Sequence, residues 1–360
     1  MSPADPFITG VEVRVLTTIY PRTVGRNARL GSHGAGGEST IAVISTDGPA
    51  QGWGLVESVP VDRAAAVGCP LSDLIDPAAG VRSVEHRWLD IALHDLVGVV
   101  NDVPVHALIG GAGSTDIEVY DGAIYFDDLD PDDDPRGLGA VLDNCRADAD
   151  AGHRSFKLKI GRGNRWLDRD IGDARDIEVT HAVRGLFPQA RLLVDANDGY
   201  DLDGFLRYLD AVADVGLYWV EEPFGDSAVD LAELRAHLDT VSPGTLVADG
   251  ETAPDVESLL PVAAAGHLDV LLMDVMSYGV TAWRALMPRV AEIGVVASPH
   301  AWGRPLKTLY AAQLAAGLGH IDVVEGVPGR TVGVDTSTYP FAEGFLTVPD
   351  RPGFGLPVPS

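Results

Sequence analysis

Apolar and polar residues alternate over residues 8–17, and short apolar runs flank a turn over 40–58, which predicts strands at the start of the chain. Thr40–Ser45, the turn Thr46-Asp47-Gly48-Pro49 and Gly52–Val56 read as a hairpin. Between the two stretches, Arg22 to Glu38 is rich in Gly and Arg and has no period. That predicts a long mobile loop, a connector or a lid spanning about 20–37. From Val84 to Val100 apolar residues recur at helical spacing, and Asp102-Val103-Pro104 ends the helix. Residues 1–115 therefore read as one α+β unit.

The pattern then changes to short apolar runs alternating with amphipathic helical stretches. Candidate strands are Val119–Ile124, Ser155–Ile160, Arg191–Val194, Leu217–Val220, Thr245–Ala248, Val270–Met273, Val295–Ala297 and Asp322–Val324. Most are spaced by about 25–35 residues, the size of a βα unit, so residues 116–330 are expected to form an α/β barrel of the TIM type, (β/α)8-like. The Pro/Gly-rich tail, 331–360, is expected to return to the first unit.

A 360-residue chain with 46% hydrophobic residues supports a large core. No apolar run reaches the roughly 20 residues that span a bilayer. The start, Met1-Ser-Pro-Ala-Asp-Pro-Phe, shows no secretory signal. Cys69 and Cys145 form no metal or disulfide framework, which fits a cytoplasmic protein. A formal charge of −27 argues against nucleic acid and anionic membranes as partners. An anionic substrate would need a local reversal of that sign. The acidic run Asp127–Pro135 lacks the spacing of a calcium loop and reads as a solvated loop.

Of the 26 Lys plus Arg, three are lysines: Lys157, Lys159 and Lys307. The first two share one face of a strand. Each should depress the other's pKa, as suits a base that is neutral near pH 7. Lys307 falls in the helix after the seventh strand and reads as a surface residue.

Nearly every candidate strand ends in a residue capable of chemistry, and barrel strand ends converge on one mouth. Asp195, Glu221 and Glu251 lie on successive strands, a hard-oxygen cluster suited to one Mg²⁺. Asp274 and His300 come from neighbouring strands, where a carboxylate would fix the imidazole tautomer. That dyad is expected across the metal from Lys159, so two bases would face one carbon.

This set resembles the enolase superfamily, specifically its mandelate racemase group. The matching elements are Lys157-Leu158-Lys159, Asp195-Ala196-Asn197, Glu221-Glu222-Pro223, Gly250-Glu251, Asp274, His300 and Glu325. Leu89–Leu96, Val103-Pro104-Val105, Gly110-Gly111 and Asp350–Gly355 extend the resemblance over nearly the whole chain. It implies a (β/α)7β barrel under an N-terminal capping domain completed by the C-terminal segment. It implies Mg²⁺ on Asp195, Glu221 and Glu251, and proton abstraction beside a carboxylate by Lys159 and the His300/Asp274 pair. Lys157 would bind the substrate carboxylate, a protonated Glu325 would hydrogen-bond it, and Asn197 would lie beside it. A symmetric oligomer, often an octamer, is also implied. The sequence departs from many relatives at Met273, at Ser277-Tyr278-Gly279 and at Trp302.

Two opposed bases permit dehydration of an acid sugar (aldonate or aldarate) to a 2-keto-3-deoxy acid, or racemisation or epimerisation of a 2-hydroxy acid. The first is the expectation, since acid-sugar dehydratases are the commoner type among relatives with this set. A two-lysine cycloisomerase and an inactive ligand-binding barrel are the further alternatives. Substrate size should be set by Tyr20–Gly37 and by Ser58–Asp62. His33 and Arg29 are candidates for gripping the distal end of the substrate, and Trp302 for walling the pocket.

Overall fold

The computed structural model describes residues 5–225, 227–251 and 255–359. Residues 1–4, part of the stretch read for a secretory signal, and residue 360 lie outside the described residues. Strands β1 (Ile8–Val24), β2 (Gly34–Thr46) and β3 (Gln51–Leu55) form an antiparallel sheet, and helix α1 (Asp90–Asn101) packs on it. A 3-10 turn at Val84–Leu89 precedes α1, so the single predicted helix is broken at Leu89. Helix and sheet approach closely: a Cβ on Gly52 would lie 2.5 Å from the Leu96 backbone nitrogen.

The two ends of the expected loop at 20–37 are strand. β1 runs to Val24 and β2 starts at Gly34, with Thr18, Ile19 and Val24 opposite Gly37, Gly36 and Gly34. Gly36 has φ +143°, and a Cβ there would sit 2.1 Å from the Thr18 carbonyl oxygen. The glycines that read as flexibility thus permit close strand pairing. Residues 25–33 form the turn proper.

The rest is an α/β barrel of the TIM type beneath this cap. Its strands are β4 (Asp116–Ile124), β5 (Ser155–Lys159), β6 (Arg191–Asp195), β7 (Trp219–Glu221), β8 (Leu246–Asp249), β9 (Val270–Leu271), β10 (Val296–Ala297) and β11 (Val323–Gly326). They pair in parallel, β4 through β10 in order. β11 pairs with β4, and an Ala297–Ile321 bridge brings β10 beside the β11 approach. Helices α2 (Leu138–Asp150), α3 (Arg169–Leu186), α4 (Leu202–Ala211), α5 (Ala228–Val241), α6 (Val256–Ala264), α7 (Gly279–Ile293) and α8 (Pro305–Leu318) alternate with them.

Asp90 on α1 accepts the Thr281 backbone N–H at 3.0 Å and the Thr281 hydroxyl, tying cap to α7. The tail contributes to both units. Arg330–Thr331 pairs with β1, Phe345–Thr347 pairs with β4, and Phe354 N–H donates to Asp95 on α1. The acidic run differs from its solvated reading: Asp127 and Asp128 are buried, and Asp128 pairs with the buried Arg162 at 2.8 Å. Among the described residues no helix is long and apolar enough to cross a membrane.

Candidate active site

The barrel register sets the site. Lys159, Asp195 and Glu221 lie directly opposite one another across β5, β6 and β7, so their side chains emerge in one row. Glu221 is opposite Ala248 on β8, and a turn at Gly250 (φ +106°) leads to Glu251. Asp195, Glu221 and Glu251 each offer an oxygen within 4.8 Å of the others. Oε2 of Glu251 is buried with no hydrogen-bond partner, while Trp219 Nε1 donates to Glu221 Oε2 at 3.0 Å. Asn197, Asp198 and Glu222, just beyond β6 and β7, have φ of +44°, +52° and +39°. Left-handed backbone at non-glycine residues costs energy and clusters where a site demands it.

Both lysines converge on this row. Lys157 Nζ lies 2.6 Å from Glu221 Oε1, 3.0 Å from Glu325 Oε1 and 3.3 Å from Asp195 Oδ2, and Lys159 pairs with Asp195. The expected neutral lysine is not what this arrangement favours. Burial opposes the ammonium of Lys157, but Glu221 and Glu325 outweigh it and push its pKa well up. For Lys159 burial and Lys157 pull down, yet Asp195 prevails and the pKa is raised. Asp195, despite burial, is held below the usual carboxylate range by Lys159 and Lys157. Glu221 is pushed well up by burial and by Asp195.

His300 stands at the other end of the row. Its Nδ1 is 2.8 Å from Asp274 Oδ2, and its Nε2 is 3.2 Å from Glu251 Oε1 and 3.6 Å from Glu325 Oε2. Burial lowers the imidazole pKa, but Glu251, Glu325 and Asp274 reverse that and raise it. Glu325 is opposite Tyr120 across β11 and β4. Burial raises its pKa, but Lys157, His300 and the Ala301 N–H leave it lowered. These partners favour the carboxylate form of Glu325 in this arrangement, whereas the protonated form that the resemblance implies belongs to the substrate-bound site. Lys307 is also misread by its sequence context. It is buried, pairs with Asp274 and donates to the Trp302 carbonyl at 3.1 Å.

The lid residues divide. His33 donates from Nδ1 to Gly25 O at 2.9 Å, and its ring lies 4.7 Å from Tyr125 and 6.0 Å from Trp302. Burial, with Lys159 nearby, lowers its pKa. Trp302 also meets Tyr20 at 5.8 Å and Tyr125 at 4.8 Å, while Lys159 Nζ lies 5.3 Å from the Tyr125 ring. An aromatic wall therefore stands over the row. Arg29 is not brought into it: its guanidinium pairs with Asp198. Asn197 donates to Glu222 Oε2 at 3.4 Å and leaves its own Oδ1 buried without a partner. In the Ser58–Asp62 segment, Val59 and Pro60 are half-buried and the rest exposed. Sequence reasoning missed Tyr125, gave Glu222 no role beyond its motif, and placed Lys307 on the surface. The scarcity of lysine was a signal for the last.

The profile of the family described as "Enolase C-terminal domain-like" matches residues 140–359. The chain belongs to the enolase superfamily. Its relatives are of the mandelate racemase/muconate lactonizing type and include acid-sugar dehydratases. A mutant of galacturonate dehydratase from Geobacillus sp., solved with Mg, superposes with TM-score 0.92 at 30% identity, over 98% of this chain and 92% of that one. The same enzyme solved with D-galacturonate and 5-keto-4-deoxy-D-galacturonate gives 0.91 at 30% identity, over 98% and 94%. D-galactarolactone cycloisomerase of Agrobacterium fabrum is 28% identical over 75% of this chain and 70% of its own length. The superfamily uses Mg²⁺, and the hard, crowded oxygens of Asp195, Glu221 and Glu251 fit that ion.

Proposed function

We propose that this enolase-superfamily member is a Mg²⁺-dependent acid-sugar dehydratase. It would remove the proton beside the carboxylate and expel the β-hydroxyl, giving a 2-keto-3-deoxy acid numbered from that carboxylate. The observation that carries the reading is the placement of two acid–base groups at opposite ends of one carboxylate row. Lys159 touches Asp195 at one end, and His300, backed by Asp274, touches Glu251 at the other.

In this reading the cap is 1–115, the (β/α)7β barrel 116–330 and the closing segment 331–360. Asp195, Glu221 and Glu251 hold the metal, which when bound offsets charge on the substrate carboxylate. Lys157, now on Glu221 and Glu325, turns to the incoming carboxylate. Glu325 then loses a stabilising cation, burial raises its pKa, and it can donate to a carboxylate oxygen. Lys159 and His300 would divide the remaining work. A carboxylate engaged as a metal ligand, Asp195 for the lysine or Glu251 for the histidine, no longer favours its partner's cation. One group could then be neutral and take the α-proton while the other, still protonated, protonates the departing hydroxyl. The α-proton is very weakly acidic, so stabilisation of the enediolate charge by Lys157 and Glu325 is the larger demand.

The walls of the mouth narrow the substrate. Arg29 is committed to Asp198, which favours a monoacid, an aldonate or a uronate, over an aldarate. His33 Nε2 is left as an acceptor for a substrate hydroxyl, and Trp302, Tyr20 and Tyr125 supply the apolar side. The two opposed bases also support the second reading, epimerisation, and a hydrophobic dipeptide epimerase of Enterococcus faecalis is 25% identical over 58% of this chain.

The test is a stereochemically complete library of aldonates, uronates and aldarates incubated with Mg²⁺, with 2-keto-3-deoxy products trapped by semicarbazide. The expected outcome is a monoacid hit that is lost in both Lys159→Ala and His300→Asn. An inverted stereocentre without elimination would support the epimerase instead. Mg²⁺ binding with no reaction of either kind would contradict both.

A further inference from the structure

All three lysines of the chain lie buried in or beside the site, and the third has no role in the chemistry so far described. Lys307 is in the first turn of α8, after Pro305 at the helix start. A cation there meets the positive end of the helix dipole. The residue is also buried, with a relative exposure of only 4%. Neither helix stability nor solubility accounts for a lysine at this position. What compensates it is Asp274, with the Trp302 carbonyl at 3.1 Å.

Asp274 is correspondingly saturated. Oδ1 accepts the backbone N–H groups of Met276 at 2.8 Å and Ser277 at 3.1 Å. Oδ2 accepts from His300 Nδ1 at 2.8 Å and from Lys307 Nζ. Four donors fix both the plane and the rotation of this carboxylate. With an ammonium on Oδ2, that oxygen cannot itself carry a proton toward the imidazole. The hydrogen shared with His300 must then reside on Nδ1, which leaves Nε2 facing Glu251 and Glu325 at the mouth.

We propose that Lys307 is a positioning residue: by pinning Asp274 Oδ2 it fixes His300 in the Nδ1–H tautomer, with Nε2 presented to the substrate. The inference rests on reading His300 as one of the two acid–base groups. Lys307 pairs with none of the three carboxylates of the row; its side chain meets Asp274 and the Trp302 carbonyl, and it reaches His300 through Asp274. Three groups in series, Lys307–Asp274–His300, replace a simple pair.

The test uses the full-length, Mg²⁺-loaded protein labelled with ¹⁵N-histidine, with the His300 signals identified by their loss in His300→Asn. At a pH above the raised imidazole pKa, where the ring is neutral, the wild-type ring is expected in the Nδ1–H form alone. In Lys307→Met it is expected to show mixed or exchanging tautomers, with Mg²⁺ affinity unchanged. Lys307→Gln keeps a donor without the charge, should shift the tautomer the same way, and carries the test if the Met variant does not fold. An unaltered Nδ1–H signal in whichever variant folds would overturn the proposal.

The NMR arm needs no substrate, so its result is independent of whether the dehydratase reading holds. With a substrate in hand, Lys307→Met should slow α-proton exchange on the His300 side by on the order of 10–100-fold. Exchange on the Lys159 side should stay within about 2-fold, and KM should hold. An equal fall on both sides would reduce Lys307 to a structural role and overturn the proposal.

Discussion

Trp219 shows how much a single side chain can be asked to do. Its indole N–H is held on Glu221 Oε2, inside a row where like charges would otherwise crowd. Partners behind metal ligands set ligand orientation, so Trp219→Phe should weaken Mg²⁺ binding by about 10–100-fold, measured by calorimetry, with little change in fold. Lys159→Ala and His300→Asn should each lower kcat by on the order of 10²–10⁴-fold while Mg²⁺ still binds. Residue identities at the strand ends were readable because barrel geometry forces those ends together. Their charge states were not. The lysine pair suggested mutual repulsion, and only the three-dimensional surroundings reveal that Asp195, Glu221 and Glu325 outweigh it. Lys307 was hidden for a related reason: a helix first turn two residues beyond a loop gives no sign of facing inward.

At the scale of elements, the strands of the barrel announced themselves through short apolar runs between amphipathic helices, and the lid did not. Backbone pairing between β1 and the Gly-rich start of β2 needs no side-chain alternation, so the segment read as loop. The same pairing makes the lid sensitive to a single added side chain. Gly36→Val would place a Cβ against Thr18 O at a φ that β-branched residues avoid. The strands should separate at that point and disturb Tyr20, which stacks on Trp302 and donates to Gly303 O at 2.7 Å. The expected result is a raised KM with Mg²⁺ affinity unchanged. Unaltered KM would detach the lid from substrate binding. The helix over 84–100 illustrates the opposite error. Its periodicity was real, but the first turn is 3-10, so a uniform 3.6-residue period joined two elements into one.

Across the whole molecule, Asp95 links the helix and sheet of the cap to the tail. It sits on α1 in the cap, accepts Trp53 N–H from β3 at 2.9 Å, and accepts Phe354 N–H from the tail at 2.8 Å. Burial pushes its pKa up to about 7, against the pull of those two N–H donors. An unfolded Asp titrates near about 4. Between those values the folded chain binds more protons than the unfolded one, so the Asp95 contribution to stability is full below about pH 4 and falls as pH rises to about 7. Denaturant titrations should show the advantage of wild type over Asp95→Asn shrinking across that window and constant above it. An advantage that grows with pH would contradict the assignment. Mg²⁺ acts on the same global scale. At 100 times its Kd it should add about 2.7 kcal/mol to unfolding free energy, an effect absent when Glu251 is changed to Gln.

A net charge of −27 surrounds a mouth that, in the proposed reading, receives a carboxylate. In the proposed reading three lysines, a histidine and Mg²⁺ would supply the local reversal of sign that α-proton removal demands. The direct measurement is ¹H NMR of acid sugars in D₂O with the Mg²⁺-loaded enzyme, following the α-proton. The account predicts loss of that signal for at least one monoacid, coupled to elimination, and no loss when Lys159→Ala and His300→Asn are combined. An α-proton that persists for every acid, in an enzyme shown to bind Mg²⁺, would contradict it.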